Sequence, residues 1–393
     1  MRDGWAVRKI GDVISLEYGK PLPKDQRCEE GGFPAYGANG IKCYAVKPFW
    51  EKRSIIVGRK GTAGAVNLVE GGFWPLDVTY YVTFNEREND LKFIYYMLSA
   101  LDLPSLATGV KPGINRNVVY AIERPFPPLP EQKRIVAILD EAFAGIDTAI
   151  ANTEKNLANA RELFESYLNA VFTREGDGWK DVTIGDIAHV KGGKRVPKGY
   201  KLQTEPTKHP YISVSDFNDT GSVVLEKIKF ISEDVYQQIS RYTISSTDLY
   251  ISIAGTIGKS GIIPKELEGA NLTENACKLV LDKDISNRYL YFFTRTESFK
   301  EQALKNTRTA AQPKLALERL KTIRLSIPPF EIQEGLIGQF NDLWSQSQEL
   351  ESIYKQKLTA LTELKQSLLQ KAFSGELTAD AADAADTVEA ALA

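Results

Sequence analysis

The sequence predicts an α+β protein in which two β-rich domains are each followed by a long α-helix, the two helices packing as an antiparallel coiled coil with pseudo-two-fold symmetry. Three observations support this fold class: a long apolar seam, an internal repeat, and two segments rich in short β-like runs. The seam follows Pro127, and its members are spaced mostly four and three residues apart, which is typical of a long helix that packs against another. They are Ile135, Leu139, Ala142, Ile146, Ala149, Thr153, Leu157, Ala160, Phe164, Tyr167 and Val171.

The partner of this helix is expected in the same chain. When the sequence is shifted by 201 residues, segment 328–373 aligns without a gap with segment 127–172. Two successive steps of four, from Ala149 through Thr153 to Leu157, form a stutter that unwinds a coiled coil locally without breaking it. The repeat predicts a tandem duplication whose unit is one domain plus one helix. Most of the seam recurs, at Leu336, Phe340, Leu343, Leu350, Tyr354, Leu358, Leu361 and Leu368.

The segments that precede the helices contain short β-like runs separated by glycine and proline. Strands are predicted at 54–58, 65–69 and 78–84, and a short helix at 91–101. The second segment repeats this framework, since GWKDVTIGD at its start matches GWAVRKIGD near the N-terminus. The predicted division is a first domain at 1–126, a central helix at 127–175, a second domain at 176–327, a C-terminal helix at 328–376 and a low-complexity tail at 377–393.

Charge is unevenly distributed along the chain. Basic residues exceed acidic ones by three in 1–126 and by six in 178–327, whereas acidic residues are in excess by four in 127–177 and by seven in 328–393. The net charge of −2 conceals this division. Basic domains beside acidic helices suit a protein whose domains contact phosphate while its helices bind another partner.

Several classes of protein are disfavoured. No run of eighteen apolar residues is present and the N-terminus lacks the apolar segment of a signal peptide, so we expect no membrane span and a cytoplasmic location. Cys28, Cys43 and Cys277 have no C-x-x-C spacing and lie apart from His189 and His209. Neither a disulfide framework nor a metal site is therefore indicated.

Two motifs resemble catalytic signatures but do not satisfy them. GTIGKS at 255–260 has Ile253 where a phosphate loop needs glycine, so this segment and its twin at 61–66 are predicted to be glycine turns. IPPF at 327–330 has Ile327 where an amino-methyltransferase needs a side chain that hydrogen-bonds the target amine. A role as a methyltransferase or an ATPase is therefore disfavoured.

Polar and basic loops bordered by glycine remain as candidate functional segments. Arg and Lys can contact guanine edges or phosphates, and Asn and Gln can read adenine, so these residue types suit recognition of duplex DNA. The candidate DNA-binding residues are Arg59, Lys60, Lys111, Asn115, Arg116 and Asn117 in the first domain, and Lys194, Arg195, Lys198, Lys259, Arg308, Gln312 and Lys314 in the second.

The string PFPPLPEQKRIVAILDEAFAGIDTAI at 125–150 is followed by LFESYLNAVFT at 163–173 and answered by SIPPFEIQEGLIGQF at 326–340. These strings resemble the helices of the specificity subunits of type I restriction-modification systems, and the resemblance spans nearly the whole chain. The second copy departs from the pattern, with Glu331-Ile332 in place of Pro130-Glu131.

The resemblance implies a non-catalytic subunit whose two target-recognition domains each read one half of a bipartite sequence in double-stranded DNA, with the helices as a spacer. It also implies two docked methyltransferase (modification) subunits and ATP-driven restriction subunits. No cofactor is expected in this chain, since S-adenosylmethionine, ATP and Mg are expected on the partner subunits. The alternatives are a targeting subunit of another methylase-nuclease system and a coiled-coil adaptor that binds protein. The residues expected to pair the helices and dock subunits are Gln132, Ile135, Leu139, Phe143, Leu157, Gln333, Leu336, Phe340, Trp344 and Leu358.

Overall fold

The computed structural model of the chain describes residues 4–174, 176–218, 220–308 and 313–379. The chain divides into two compact units, each of which contains one β-rich domain and a half of each long helix. The first unit joins the described residues up to Glu154 with those from Gln356, and the second extends from Lys155 to Lys355. Residues 380–393 of the predicted tail lie outside the described ranges.

The first domain is built from short strands and two helices. They are β1 (Ala6–Lys9), β2 (Ile14–Tyr18), β3 (Arg27–Cys28), β4 (Phe33–Gly37), β5 (Gly40–Ala45), β6 (Ser54–Gly58), β7 (Val66–Val69), β8 (Trp74–Pro75), β9 (Thr79–Phe84), α1 (Leu91–Ala100), α2 (Arg116–Tyr120) and β10 (Glu123–Phe126). One sheet has the strand order β2-β9-β6-β7, a second has the order β3-β5-β4-β8, and β1 pairs with β10. The strands and the helix that the sequence predicts are confirmed to within one residue at each end.

Helix α3 (Leu129–Phe172) follows β10 directly. Pro130 is tolerated in its first turn because amide groups there have no partner within the helix, and the carboxylate of Glu131 lies at the positive end of the helix dipole. The helix predicted from the apolar seam is therefore confirmed.

The second domain and its helix follow. Their elements are β11 (Lys180–Thr183), α4 (Ile184–Ile187), β12 (Ala188–Gly192), β13 (Pro210–Ile212), β14 (Lys229–Phe230), α5 (Glu233–Ile239), β15 (Thr243–Ile244), β16 (Leu249–Ser252), β17 (Ser260–Gly261), β18 (Ala270–Leu272), β19 (Ala276–Leu281), α6 (Asn287–Phe293), α7 (Glu297–Lys305), β20 (Thr307–Arg308), β21 (Lys314–Leu315), α8 (Leu317–Leu320), β22 (Arg324–Ile327) and α9 (Phe330–Ser374). Helices α5 and α7 were not expected from the sequence.

The second domain repeats the framework of the first. Its sheet β12-β19-β16-β17 matches β2-β9-β6-β7, and the β11-β22 pair matches the β1-β10 pair. Each of these pairs brings the start and the end of a domain together just before a long helix begins. The α+β fold class with duplicated domains is therefore confirmed.

The helices run antiparallel within each unit. In the second unit, Arg161 Nε lies 3.1 Å from Glu351 Oε2, and the Tyr167 hydroxyl donates to Gln339 Oε1 over 2.5 Å. In the first unit, Lys365 Nζ lies 2.7 Å from Asp147 Oδ1. Residue numbers rise along one helix as they fall along the other, as the repeat predicts.

The seam also completes the cores of the two domains. Ile135, Leu139 and Phe143 are buried with α1, where the ring centroids of Phe143 and Tyr96 are 5.3 Å apart. In the second unit, Leu336 and Phe340 are buried with α6, and Trp344 packs half-buried against Phe164 at 4.8 Å. One face of each helix thus binds its own domain as well as the other helix.

Leu157 and Leu358, which were expected as helix-pair contacts, are only half-buried. The buried positions on either side of Leu157 are Thr153 and Ala160. Thr153 lies at the predicted stutter, and its hydroxyl donates to the Ala149 carbonyl of its own helix over 2.6 Å. The two leucines therefore lie at the margin of the contact between the helices.

Candidate nucleic-acid interface

The two candidate loops of the first domain lie side by side. Arg59 and Lys60 follow β6, and the Ile114 amide donates to the Arg59 carbonyl over 3.0 Å, while Lys60 forms a β-bridge with Gly113. The turn after Lys60 requires glycine, since Gly64 has a φ of +88° and an added Cβ would lie 2.5 Å from the Pro104 nitrogen. The glycine turn predicted from the sequence is confirmed.

These loops place two guanidinium groups against one exposed aromatic ring. Tyr18, at the end of β2, is 48% exposed, and its ring centroid lies 5.3 Å from Arg59 Cζ and 4.9 Å from Arg116 Cζ. Cation–π attraction favours both positions. Tyr80 lies 5.1 Å from Tyr18. Its burial, together with the hydrogen bond and charge of Tyr18, raises the pKa of Tyr80 to about 12. Tyr80 is therefore neutral and donates to the Ile114 carbonyl over 3.0 Å.

The second domain has the same backbone arrangement with different side chains. The Leu315 amide donates to the Ile253 carbonyl over 2.9 Å, as the Ile114 amide does to Arg59. Gly192 ends β12 as Tyr18 ends β2, and Leu317 stands two residues after Leu315 as Arg116 stands two after Ile114. The positions of Tyr18, Arg59 and Arg116 are therefore occupied by Gly192, Ile253 and Leu317.

The candidate Lys194 has a counterpart in the first domain, Lys20, that was not among the predicted residues. The Lys20 amide donates to the Pro75 carbonyl and the Lys194 amide to the Leu272 carbonyl, both over 2.8 Å. The ammonium groups lie 5.3 Å from the Phe49 ring and 5.8 Å from the Tyr242 ring. The signal was present in the sequence, because GKPLPK at 19–24 matches GKRVPK at 193–198.

The remaining candidate residues differ in whether their side chains are exposed and free to contact DNA. Lys60, Lys111, Asn117, Lys198 and Lys314 are exposed, as a contact with DNA requires. The side chain of Arg308 and the whole of Gln312 lie outside the described residues.

Three candidates are held by other contacts. The Asn115 side chain accepts from the Asn117 amide over 2.9 Å and caps α2, and Lys259 is half-buried with its ammonium group on the Phe217 carbonyl. Asn115 Oδ1 and the Lys259 ammonium group are therefore already engaged within their own domains. Arg195 is paired with Glu274 at 2.5 Å, and this carboxylate raises the pKa of its guanidinium.

Gln132, which was expected to pair the helices and dock subunits, uses its side-chain amide within the first domain. This residue is 1% exposed. Its Oε1 accepts from the Asp90 amide at 2.9 Å, and its Nε2 donates to the carbonyls of Pro127 at 2.9 Å and Glu88 at 3.2 Å. One amide group thus ties the start of α1 to the start of α3.

Gln333 makes the corresponding contacts in the second unit. It is also 1% exposed, and its Oε1 accepts from the Ser286 amide at 3.0 Å. Its Nε2 donates to the carbonyls of Pro328 at 3.0 Å and Asp284 at 3.1 Å. Each glutamine satisfies both a donor and an acceptor role, which Glu cannot do when ionised.

Gln132→Glu is expected to lower the stability of the chain by about 1–3 kcal/mol at neutral pH, since a carboxylate there faces two carbonyl oxygens. Folding then raises the pKa of the introduced carboxyl group above the unfolded value of about 4.3, because only the protonated acid can donate. The loss of stability should therefore be smallest below about pH 4.3 and should grow as the pH rises above it. Thermal midpoints between pH 4 and 8, with exposed Gln366→Glu as the control, measure this difference. A loss that does not vary with pH would contradict the assigned contacts.

In the described ranges, no group of three or more His, Cys, Asp or Glu side chains is arranged to hold a metal ion. None of the helices described there combines the length and apolar character needed to cross a membrane. Cys28, Cys43 and Cys277 are free thiols.

Comparison with known proteins assigns the chain to a family. A family model described as "Type I restriction modification DNA specificity domain" matches residues 2–159 and 176–359. The type I restriction enzyme EcoBI specificity subunit of Escherichia coli is 24% identical over 334 residues, covering 76% of this chain and 68% of that protein. A putative type I restriction enzyme specificity subunit of Haemophilus influenzae is 25% identical over 334 residues, covering 81% and 82%.

Solved structures share the fold. A chain from a structural study of complex assembly and conformational transition of the type I R-M system aligns with a TM-score of 0.76 at 17% identity, covering 96% of this chain and 99% of that one. The HsdS subunit from Thermoanaerobacter tengcongensis aligns with a TM-score of 0.60 at 17% identity, covering 96% and 98%. The chain therefore belongs to the family of type I restriction-modification DNA specificity subunits and contains two specificity domains of that family.

Proposed function

We propose that this chain is the DNA-recognition subunit of a type I restriction-modification complex and that each domain reads one half of a bipartite duplex target. One observation supports this proposal above all. The sheets β2-β9-β6-β7 and β12-β19-β16-β17 share one topology, yet the loops at matching positions carry unlike side chains. A common frame with two different sets of loops suits the recognition of two different half-sites.

The test is to co-express the full chain with the cognate methyltransferase subunit and to map methylated adenines across the genome. The expected result is one motif with two specified halves and a spacer of fixed length. The chain should also bind duplex DNA with an affinity that falls steeply as salt rises, because phosphate contacts release counterions. A protein-binding adaptor would show neither the motif nor the salt dependence. A motif that is methylated only with the subunits of another methylase-nuclease system would identify the chain as the targeting subunit of that system.

The partners of this complex are two methyltransferase subunits, which carry S-adenosylmethionine, and restriction subunits, which use ATP and Mg. The assembly acts in the cytoplasm. Leu163 and Leu364 support the stoichiometry, since they correspond under the shift of 201 residues and are 53% and 47% exposed. An exposed leucine at the same place on each helix offers two copies of one partner equivalent contacts.

Leu163→Asp and Leu364→Asp are each expected to weaken the binding of one methyltransferase subunit by about 10- to 100-fold, the effect of losing one buried leucine contact. The double variant should bind neither copy tightly. Native mass spectrometry of the complexes counts the bound subunits.

The matched control is Ala158→Asp, which adds the same charge to α3 at another exposed position. Five residues separate it from Leu163, so it lies about 140° away around the helix, at ~100° per residue. It should leave both subunits bound. Retention of two subunits by both single leucine variants would show that the docking contacts lie elsewhere.

A further inference from the structure

We propose that Tyr18, Arg59 and Arg116 form a guanine-reading site for the half of the target bound by the first domain, an inference that rests on the function proposed above. The three side chains come from β2, from the loop after β6, and from the first residue of α2. No carboxylate among the described residues lies within ion-pair distance of either guanidinium, so both positive charges are available to a ligand.

Backbone carbonyls hold both arginines in place. Arg59 donates from Nε over 3.2 Å and from Nη2 over 2.7 Å to the Asp77 carbonyl. Arg116 donates from Nη1 over 3.1 Å to the Leu16 carbonyl. With the Tyr18 ring beside them, the two guanidinium planes are oriented before any ligand binds, which lowers the entropy lost on binding.

Each guanidinium retains a two-donor edge. Arg59 uses its Nε–Nη2 edge on Asp77, which leaves the edge formed by Nη1 and Nη2. Arg116 uses only Nη1, which leaves the edge formed by Nε and Nη2. A two-donor edge matches a pair of acceptors, and the two such pairs that DNA presents are guanine O6 with N7 and the oxygens of a phosphate.

The internal repeat distinguishes these two ligands. Both half-sites have a phosphate backbone, so phosphate contacts can be retained in both copies, as the matched Lys20 and Lys194 are. Base contacts must differ if the half-sites differ. Gly192, Ile253 and Leu317 stand at the positions of the cluster in the second domain, and none of them can donate a side-chain hydrogen bond. Tyr18, Arg59 and Arg116 are therefore replaced in the second domain, as residues that read bases should be. The two-donor edges of the two arginines match guanine.

The experiment uses Arg59→Lys and Arg116→Lys, each in the full chain co-expressed with the cognate methyltransferase. Lysine keeps the positive charge but loses the two-donor edge. We expect the complex to methylate targets that carry a base other than guanine at one position of the first half-site. The preference for guanine at that position should fall about 10- to 100-fold. The second half-site should remain fully specified, which also shows that the variant complex is folded. Arg53→Lys, at an exposed position just before β6, is the matched control.

Three results would overturn the site while leaving the proposed function intact. They are a first half-site without guanine on either strand, a uniform loss of methylation with an unchanged motif, and relaxation of both halves together. The second of these would identify phosphate as the ligand. A wild-type complex that methylates no bipartite motif would instead overturn the proposed function, and this site with it.

Discussion

Replacing residues 178–327 with the corresponding domain of another specificity subunit is expected to exchange one half of the methylated motif completely and to leave the other half unaltered. The reason lies in how the domain is attached. Strand β11 pairs with β22, so the ends of the inserted segment lie side by side. Gln333 binds the backbone of Asp284 and Ser286 rather than their side chains. A foreign domain that forms the same loop offers the same backbone groups, so it can dock on the unchanged helix.

The measurement is a genome-wide map of methylated bases for the wild-type and the exchanged chain. The reciprocal exchange of residues 4–126 serves as the control, because it should alter the other half of the motif alone. A change in both halves after either exchange would show that the domains do not read independently.

Inserting four residues after Thr153 and four after Tyr354 is expected to lengthen the spacer between the half-sites by one or two base pairs. The two positions correspond under the shift of 201 residues and lie beside the division between the units. Four residues add about 6 Å to each helix and turn it by only about 40°, so the apolar seam keeps its face. About 6 Å corresponds to roughly two base pairs along the duplex.

A two-residue insertion at the same positions is the matched control. It turns each helix by about 200°, so the seam no longer faces its partner, and assembly should be lost. Size-exclusion chromatography reports assembly, and methylation of plasmids with graded spacers reports the preferred length. If the four-residue variant acts only on the original spacer, the domains or the methyltransferase subunits fix the spacing instead of the helices.

Elements whose signals are local or repeated could be predicted from the sequence alone. Helix α3 begins within two residues of the predicted start, since proline at the first turn and a seam of four and three are sufficient to specify it. The shift of 201 residues predicted that α9 would repeat it and pair with it. The match between residues 19–24 and 193–198 also indicates that Lys20 corresponds to Lys194.

Contacts between side chains that are distant in the sequence could not be predicted in this way. Arg116 contacts a carbonyl 100 residues earlier in the chain, and Tyr18 lies beside it because β2 pairs with β9 in a particular register. The two glutamines occupy positions beside the seam, so their spacing indicated contact between the helices, whereas their amides bind carbonyls and amides of their own domains. Periodicity reports which face of a helix is buried, but the groups that lie against that face are set by long-range pairing of strands and by the geometry of the hydrogen bonds available there.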